Sequence, residues 1–429
     1  MKIYNMELTN EEKEILQGNQ GEIMQKALKS VVLYGEAFGA KRLLPIDGPV
    51  HLVTSFGMTG LDPVFDMMDQ IINAGIKTKE PFTVDPRPLD YDNVECTEIQ
   101  KNAFKALYGN QERFEKQLKK LGLKNENAFT CTCYMPQVGN RPKKGQVLSW
   151  AESSAVVFAN SVLGARTNRN SGLIELLGGI VGKVPAFGLV TDEGRRAKWI
   201  IEVKTTTLPN AQALGSAIGM KVVEDIPYII GLDKLLGKGI NNTTTDYLKD
   251  MGAASASNGA VGLYHVENIT PEAVEQERSL LLKDYKTYVI DDNEIQRVID
   301  SYPVLWKDIN AKPIICFIGC PHLSIEQIYS WSEKISEGLK KVGKDKVSIK
   351  TIFSAAPDVI LEFKNDKEAF AKLTNKGIHL TYICPLMYML NSECSKQPVI
   401  TNSNKLRTYS RARFFLDEEI LNIIINGSI

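Results

Sequence analysis

No stretch of about 18 consecutive apolar residues occurs in the chain, so no membrane-spanning helix is expected. The opening segment MKIYNMELTNEEKEIL has neither a continuous apolar core nor a small-residue cleavage site, which argues against a secretory signal. Charge of one sign is not in excess. Fifty-one basic residues balance 51 acidic ones, so composition gives no reason to expect nucleic acid or a membrane surface as a partner. Low-complexity tracts and internal repeats are missing as well. Cysteine is scarce, seven in 429 residues, and the odd number argues against a closed disulfide framework. Scarce thiols without a secretory signal point to a reducing, cytoplasmic setting, where clustered cysteines are metal ligands, catalytic groups or core residues. None of the tight spacings of a zinc finger or a ferredoxin is present.

What is present is a regular alternation of strand and helix signals. TNEEKEILQG has Thr9 three residues ahead of Glu12, a capping box, and EIMQKALKSVVLYGEAFG follows as an amphipathic helix. HLVTSF and PFTVDP read as strands, with a helix between them, and EIQKNAFKALYGNQERFEKQLKKLG as a helix broken near Gly109. AFTCTC is strand-like, and SWAESSAVVFANSVLG reads as a mostly buried helix. A glycine-richer middle offers the strands WIIEV, IPYIIGL and AVGLYHV. The last third returns to clean alternation: KPIICFIG, then a helix with Ser324 as N-cap and Gln327 three residues on, VSIKTIF, a helix, IHLTYIC, and a closing helix LDEEILNIIIN. This order predicts an α/β architecture with largely parallel sheets. The segment DDNEIQRVIDSYPVLWKDINAKP suggests two regions, residues 1–280 and 281–429.

Three cysteines fall at predicted strand ends: Cys131 after NAFTC, Cys320 in the turn GCPHLS, and Cys384 closing GIHLTYIC. Ligands of open α/β sheets bind at that edge, and a proline after cysteine, as at Cys320 and Cys384, stops the strand there. By residue type alone, each is equally a small buried side chain. Cys316 lies inside an apolar run and is expected in the sheet core, and Cys96 and Cys394 have no supporting context. Cys133 stands two residues after Cys131, so in a strand both thiols would face one side.

TCTCYMPQVGNRPKKGQVLSWAESSAVVFANSVLGARTNRNSG, GCPHLS and ICP…VITNSNK together resemble the catalytic chain of the aconitase X family, and PVHLVTSFG and SASNGAVGLYHVENITPEA extend the likeness over nearly the whole chain. The resemblance implies an aconitase-like multi-domain α/β/α fold and a hydro-lyase activity that depends on an iron–sulfur cluster, either 4Fe-4S with one open iron or 3Fe-4S when oxidised. It implies Cys131, Cys320 and Cys384 as the ligands, with Cys133, where the family has proline, as a neighbour. The family's swivel domain finds no counterpart before the end LNIIINGSI, so a small swivel-domain subunit is the implied partner and the implied source of the general base.

The chemistry such a site performs is loss of hydroxide from one carbon and of a proton from the next, aided by a Lewis-acidic metal, a base, and fixed cations that hold the substrate acid. The resemblance implies Asn160 and Ser161 as substrate contacts, with Arg166, Asn168 and Arg169 in the polar turn after them. It implies His51, Thr54, Ser55, Asp85 and Pro86 in substrate loops. Lys405 is a candidate cation for a carboxylate or phosphate, and by residue type alone it reads as a surface lysine. His322 is a candidate donor to the reacting groups, and by residue type alone it is equally a helix-capping residue. Family substrates are a cis-3-hydroxy-L-proline and a phosphorylated mevalonate. Asp85, where the family usually has asparagine, favours the amine-bearing hydroxyproline over a phosphate. The competing expectation is a cluster-less α/β binding protein whose cysteines only pack in cores.

Overall fold

The computed structural model describes residues 4–54 and 56–429. Three all-parallel sheets dominate it. The first is ordered Phe82–Val84, Val50–Leu52, Ser149–Trp150; the second, His265–Val266, Pro227–Ile230, Ala197–Val203, Leu281–Ile290; the third, Ile378–Thr381, Lys350–Ala355, Ile315–Leu323, Val399–Thr401, Arg413–Phe414. A small antiparallel pair joins Leu43–Pro45 to Lys183–Pro185. Helices supply the crossovers, as parallel strands require. Among the described residues no helix is long and apolar enough to cross a membrane.

Local signals account for many element ends. Thr9 and Glu12 form the expected capping box, as do Ser324 and Gln327 ahead of the helix Ile325–Val342. The long helical stretch breaks as expected, into Glu98–Leu107 and Gln111–Leu121 on either side of Gly109. Three expectations are corrected. The boundary at 280/281 cuts the second sheet, because Leu281–Ile290 pairs with Ala197–Val203. AFTCTC is not a strand: Phe129 makes one isolated bridge to Val84, and the chain turns at once. Cys320 is not in a turn after its strand but inside Ile315–Leu323. There the pairing with Lys350–Ala355 slips between Ile318 and Leu323 and leaves Gly319–His322 as a bulge. Gly319 makes the bulge sterically feasible: its φ is +110°, and a Cβ there would lie 2.3 Å from the Ser354 carbonyl oxygen.

The helix Ser153–Ser161 is buried from Ser154 to its end, as its small and apolar residues demand. Next to it, helices Ala211–Val222 and Asn242–Asn258 meet through glycine. A Cβ on Gly215 would lie 2.1 Å from the Met251 carbonyl oxygen, so the two backbones are held in close contact.

One buried carboxyl carries a stability prediction. Glu175, in the helix Gly172–Val181, is fully buried, and burial pushes its carboxyl well above the usual range against hydrogen bonds from Ser149 and Asn170. A carboxyl raised in the folded state contributes its full stability below the ordinary value of 4.5 and loses it as pH rises. Glu175→Gln keeps the neutral shape without the titration. It is expected to raise Tm by a few degrees at pH 8 and to leave it unchanged at pH 4, as thermal melts at the two pH values will read.

Candidate active site

Parts of the first and third sheets converge on a cavity of about 270 Å³. Its wall includes Cys131, Cys320, Cys384, Asp85, Pro86, Glu152, Ser153, Arg169, His322 and Lys405, with Val53, Phe56, Leu386 and Met387 on the apolar side. The three thiols arrive from three directions. Cys131 follows the Phe129 bridge, Cys320 stands in the bulge, and Cys384 is the N-cap of the helix Pro385–Met389, its N–H donating to the Arg87 carbonyl at 2.9 Å. Burial pushes all three thiols up, Cys384 to about 12.

Among the described residues, no group of three His, Cys, Asp or Glu side chains is arranged to hold a single metal ion. Three thiols spread around a cavity of about 270 Å³ suit a multi-iron cluster better, because there each thiolate binds a different iron. The donor set fits such a group, and these three residues are the ones that would hold it.

The strongest electrostatic feature of the wall joins residues 253 positions apart: Lys405 Nζ donates to Glu152 Oε1. Glu152 is the N-cap of the buried helix. Its carboxylate accepts from Ala155 N at 2.6 Å, Ser154 Oγ at 2.7 Å and Ser153 Oγ at 3.2 Å. Burial pushes this carboxyl up, but the Lys405 charge and the hydrogen bonds outweigh it and hold it at about 2. Burial likewise disfavours the ammonium of Lys405, and Glu152 overcomes that, holding it well above the usual range. Arg169 differs. Its Nη1 donates to the Ala256 carbonyl at 3.3 Å, it has no ion pair among the described residues, and its side chain is exposed at the cavity.

Asp85 lies on the wall with Oδ1 3.4 Å from His51 Nε2, and burial pushes its carboxyl up to about 6 against the pull of His51. Burial opposes a charge on His51, but Cys133 and Asp85 outweigh it and hold the imidazole up to about 10. His51 is fully buried behind Asp85, with Nδ1 2.8 Å from Thr83 Oγ1, and does not line the cavity. Cys133 sits in the core beside it, not on the cavity: without a strand at 131–133, the same-side argument does not apply.

Several sequence expectations are redirected by this geometry. Asn160 is fully consumed by the fold: its Nδ2 donates to the Thr167 and Gly262 carbonyls, and its Oδ1 accepts from Thr167 N and Arg195 Nη1. Ser161 Oγ accepts from Tyr264 N, and Arg166 pairs with Asp192 at 2.5 Å. None of the three lines the cavity, because it is the N-terminal end of the buried helix, not its C-terminal end, that faces it. His322 lines the cavity with both ring nitrogens engaged: Nε2 donates to the Ile383 carbonyl at 3.0 Å, and Nδ1 accepts from Thr130 Oγ1 at 3.0 Å. Burial pushes it down to about 4, so it is a neutral ring tying three segments together. Thr54 lies over a small void beneath Asp85 and Pro86, its Oγ1 buried without a partner, and Ser55 lies outside the described residues. Glu152 and Ser153 were not legible as site residues. Their one signal is a lone charge at the head of an otherwise uncharged buried helix.

Asn160→Ala is expected to cost about 1–3 kcal/mol, since it strands buried donors, including one from Arg195. KM should stay within about twofold, because substrate contact is not lost. Denaturant melts and steady-state kinetics separate the two effects.

Family models for the aconitase X first domain and second domain match residues 5–193 and 197–300. The phosphomevalonate dehydratase large subunit of Thermococcus kodakarensis is 34% identical over 343 residues, covering 79% of this chain and 78% of that protein. A cis-3-hydroxy-L-proline dehydratase of Pseudomonas aeruginosa is 29% identical over 263 residues, 60% of this chain but 42% of that longer protein. A crystal structure of Thermococcus kodakaraensis aconitase X in the holo-form superposes with a TM-score of 0.78 at 29% identity, covering 98% of this chain and 100% of that one.

Proposed function

Because the chain belongs to the aconitase X family, we propose that it is the large subunit of an iron–sulfur-dependent hydro-lyase that dehydrates a small hydroxy acid together with a small subunit. The observation that carries this reading is the meeting of Cys131, Cys320 and Cys384 on one cavity beside the Glu152–Lys405 pair. When bound, a cluster there supplies a Lewis-acidic iron for the departing hydroxyl. The chain's own residues bind and orient. Lys405, aimed by Glu152, keeps N–H donors for the substrate carboxylate, and Val53, Phe56, Leu386 and Met387 exclude water from one side. Glu152, held at about 2, is too weak a base to take the proton, and His322 has no free nitrogen. The base is assigned to the small subunit.

For the substrate, a phosphorylated hydroxy acid of the phosphomevalonate type is the first reading. Two things support it: the higher identity and matching length of the relatives named for that substrate, and the unpaired charge of Arg169 at the cavity. The argument from Asp85 for a cationic nitrogen is weakened by His51, which already compensates that carboxylate. Hydroxyproline is the second reading, supported by the place of Asp85 on the wall.

The test is co-expression with the small subunit, anaerobic reconstitution and assay of both acids. The phosphorylated acid is expected to show the higher kcat/KM. Arg169→Gln should lower that value about tenfold, with a smaller loss on hydroxyproline. Wild-type preference for hydroxyproline, with Asp85→Asn hurting it selectively, would establish the second reading. An iron-loaded complex that turns over neither acid would overturn both.

A further inference from the structure

We propose that Lys249 is a positioning residue for Cys320, a buried strut from the helix Asn242–Asn258 that fixes where the thiol stands at the cavity. The inference rests on the reading of Cys320 as a cluster ligand.

The side chain of Lys249 has no exposed surface. Its Nζ donates to the His322 carbonyl at 3.0 Å and to Gln327 Oε1 at 2.7 Å, and Asp250 Oδ1 lies 3.2 Å away. Three partners match the three ammonium protons, so the group is saturated where it sits. It lines neither the candidate site nor the neighbouring cavity of about 710 Å³ that shares Gly319 and Cys320 with it, so a substrate contact does not explain the charge.

Its position explains it better. His322 is two residues from Cys320, and the bulge Gly319–His322 has left the sheet ladder, so strand pairing no longer fixes it. The same helical face adds two contacts: Asp246 Oδ2 accepts from Ser324 Oγ at 2.8 Å, and Asp250 Oδ2 from Gln327 Nε2 at 2.8 Å. Residues 246, 249 and 250 are spaced to share one face of a helix. On the other side Ser403 Oγ donates to the Cys320 carbonyl. The helix is itself held against Ala211–Val222 by the glycine contact at Gly215, so it is a firm anchor. Burying an ammonium is unfavourable unless it is fully partnered, and an apolar side chain would fill the space at less cost. What the ammonium adds is direction: it fixes one carbonyl of a segment that the sheet has released.

The test uses the whole chain, prepared anaerobically without cluster. Alkylation of each cysteine by iodoacetamide is followed by peptide mass. Lys249→Met is expected to speed alkylation of Cys320 about tenfold, with Cys131 and Cys384 changed less than about twofold. Asp246→Ala, at a half-buried position, removes the outer contact and should speed Cys320 by a smaller factor; it carries the test if Lys249→Met does not fold. Equal acceleration at all three cysteines, or none at Cys320, overturns the strut. Iron uptake by the wild-type chain is measured in parallel. A wild type that takes up no iron overturns the cluster reading, while the alkylation pattern judges the strut separately.

Discussion

Serine in place of Cys131, Cys320 or Cys384 is expected to leave a folded chain that no longer retains iron after anaerobic reconstitution. A hydroxyl is close to a thiol in size, so each replacement changes packing little, but it removes the soft anionic donor that iron–sulfur clusters require. Cys316 is the internal control. It is fully buried in the strand Ile315–Leu323, in the apolar core. Cys316→Ser buries a new hydroxyl and should cost about 1–3 kcal/mol of stability while leaving iron content at the wild-type level. Iron and sulfide per chain, with the visible absorbance of the cluster, report the first effect, and denaturant melts report the second. A Cys131, Cys320 or Cys384 variant with wild-type iron would remove that residue from the ligand set.

Lys405→Met is expected to cost about 3–5 kcal/mol, because it leaves the Glu152 carboxylate buried without its counter-charge. The double variant Lys405→Met/Glu152→Gln should recover most of that stability and none of the activity, since the cation for the substrate acid is still missing. The pH dependence has a definite sign. Glu152 is held at about 2 in the folded chain against an ordinary 4.5, so its contribution is complete above 4.5 and is lost as pH falls toward 2. Wild type should therefore lose stability relative to the double variant below about pH 4.5. A gap independent of pH between 3 and 7 would show that the pair is not held as the geometry implies. The same interaction also holds Lys405 charged, and it is one energy, counted once.

Both predictions rest on residues that meet only in the folded chain, whereas other features follow from local sequence. Capping chemistry is local: Thr9 with Glu12, and Ser324 with Gln327, lie three residues apart, and short-range geometry sets them whatever the rest of the chain does. The break near Gly109 and the alternation that predicts parallel sheets are local too. Of the three cysteines, Cys384 alone stands where this reasoning placed it, past the strand Ile378–Thr381 and ahead of a proline.

The remaining features depend on packing between segments far apart in the chain. Asn160 and Glu152 sit at opposite ends of one buried helix, and no periodicity says which end meets a cavity; packing against the Arg195 network turned Asn160 inward and left Glu152 at the wall. Leu281–Ile290 joins the second sheet through strand pairing, which a composition boundary does not register. The bulge that carries Cys320 depends on Gly319 passing close to the Ser354 carbonyl on a neighbouring strand. The Glu152–Lys405 pair spans 253 residues, and at that separation no spacing rule links a carboxylate to an ammonium. Charges so far apart in sequence become partners only when the fold removes both from water, which gives each an energetic reason to find the other.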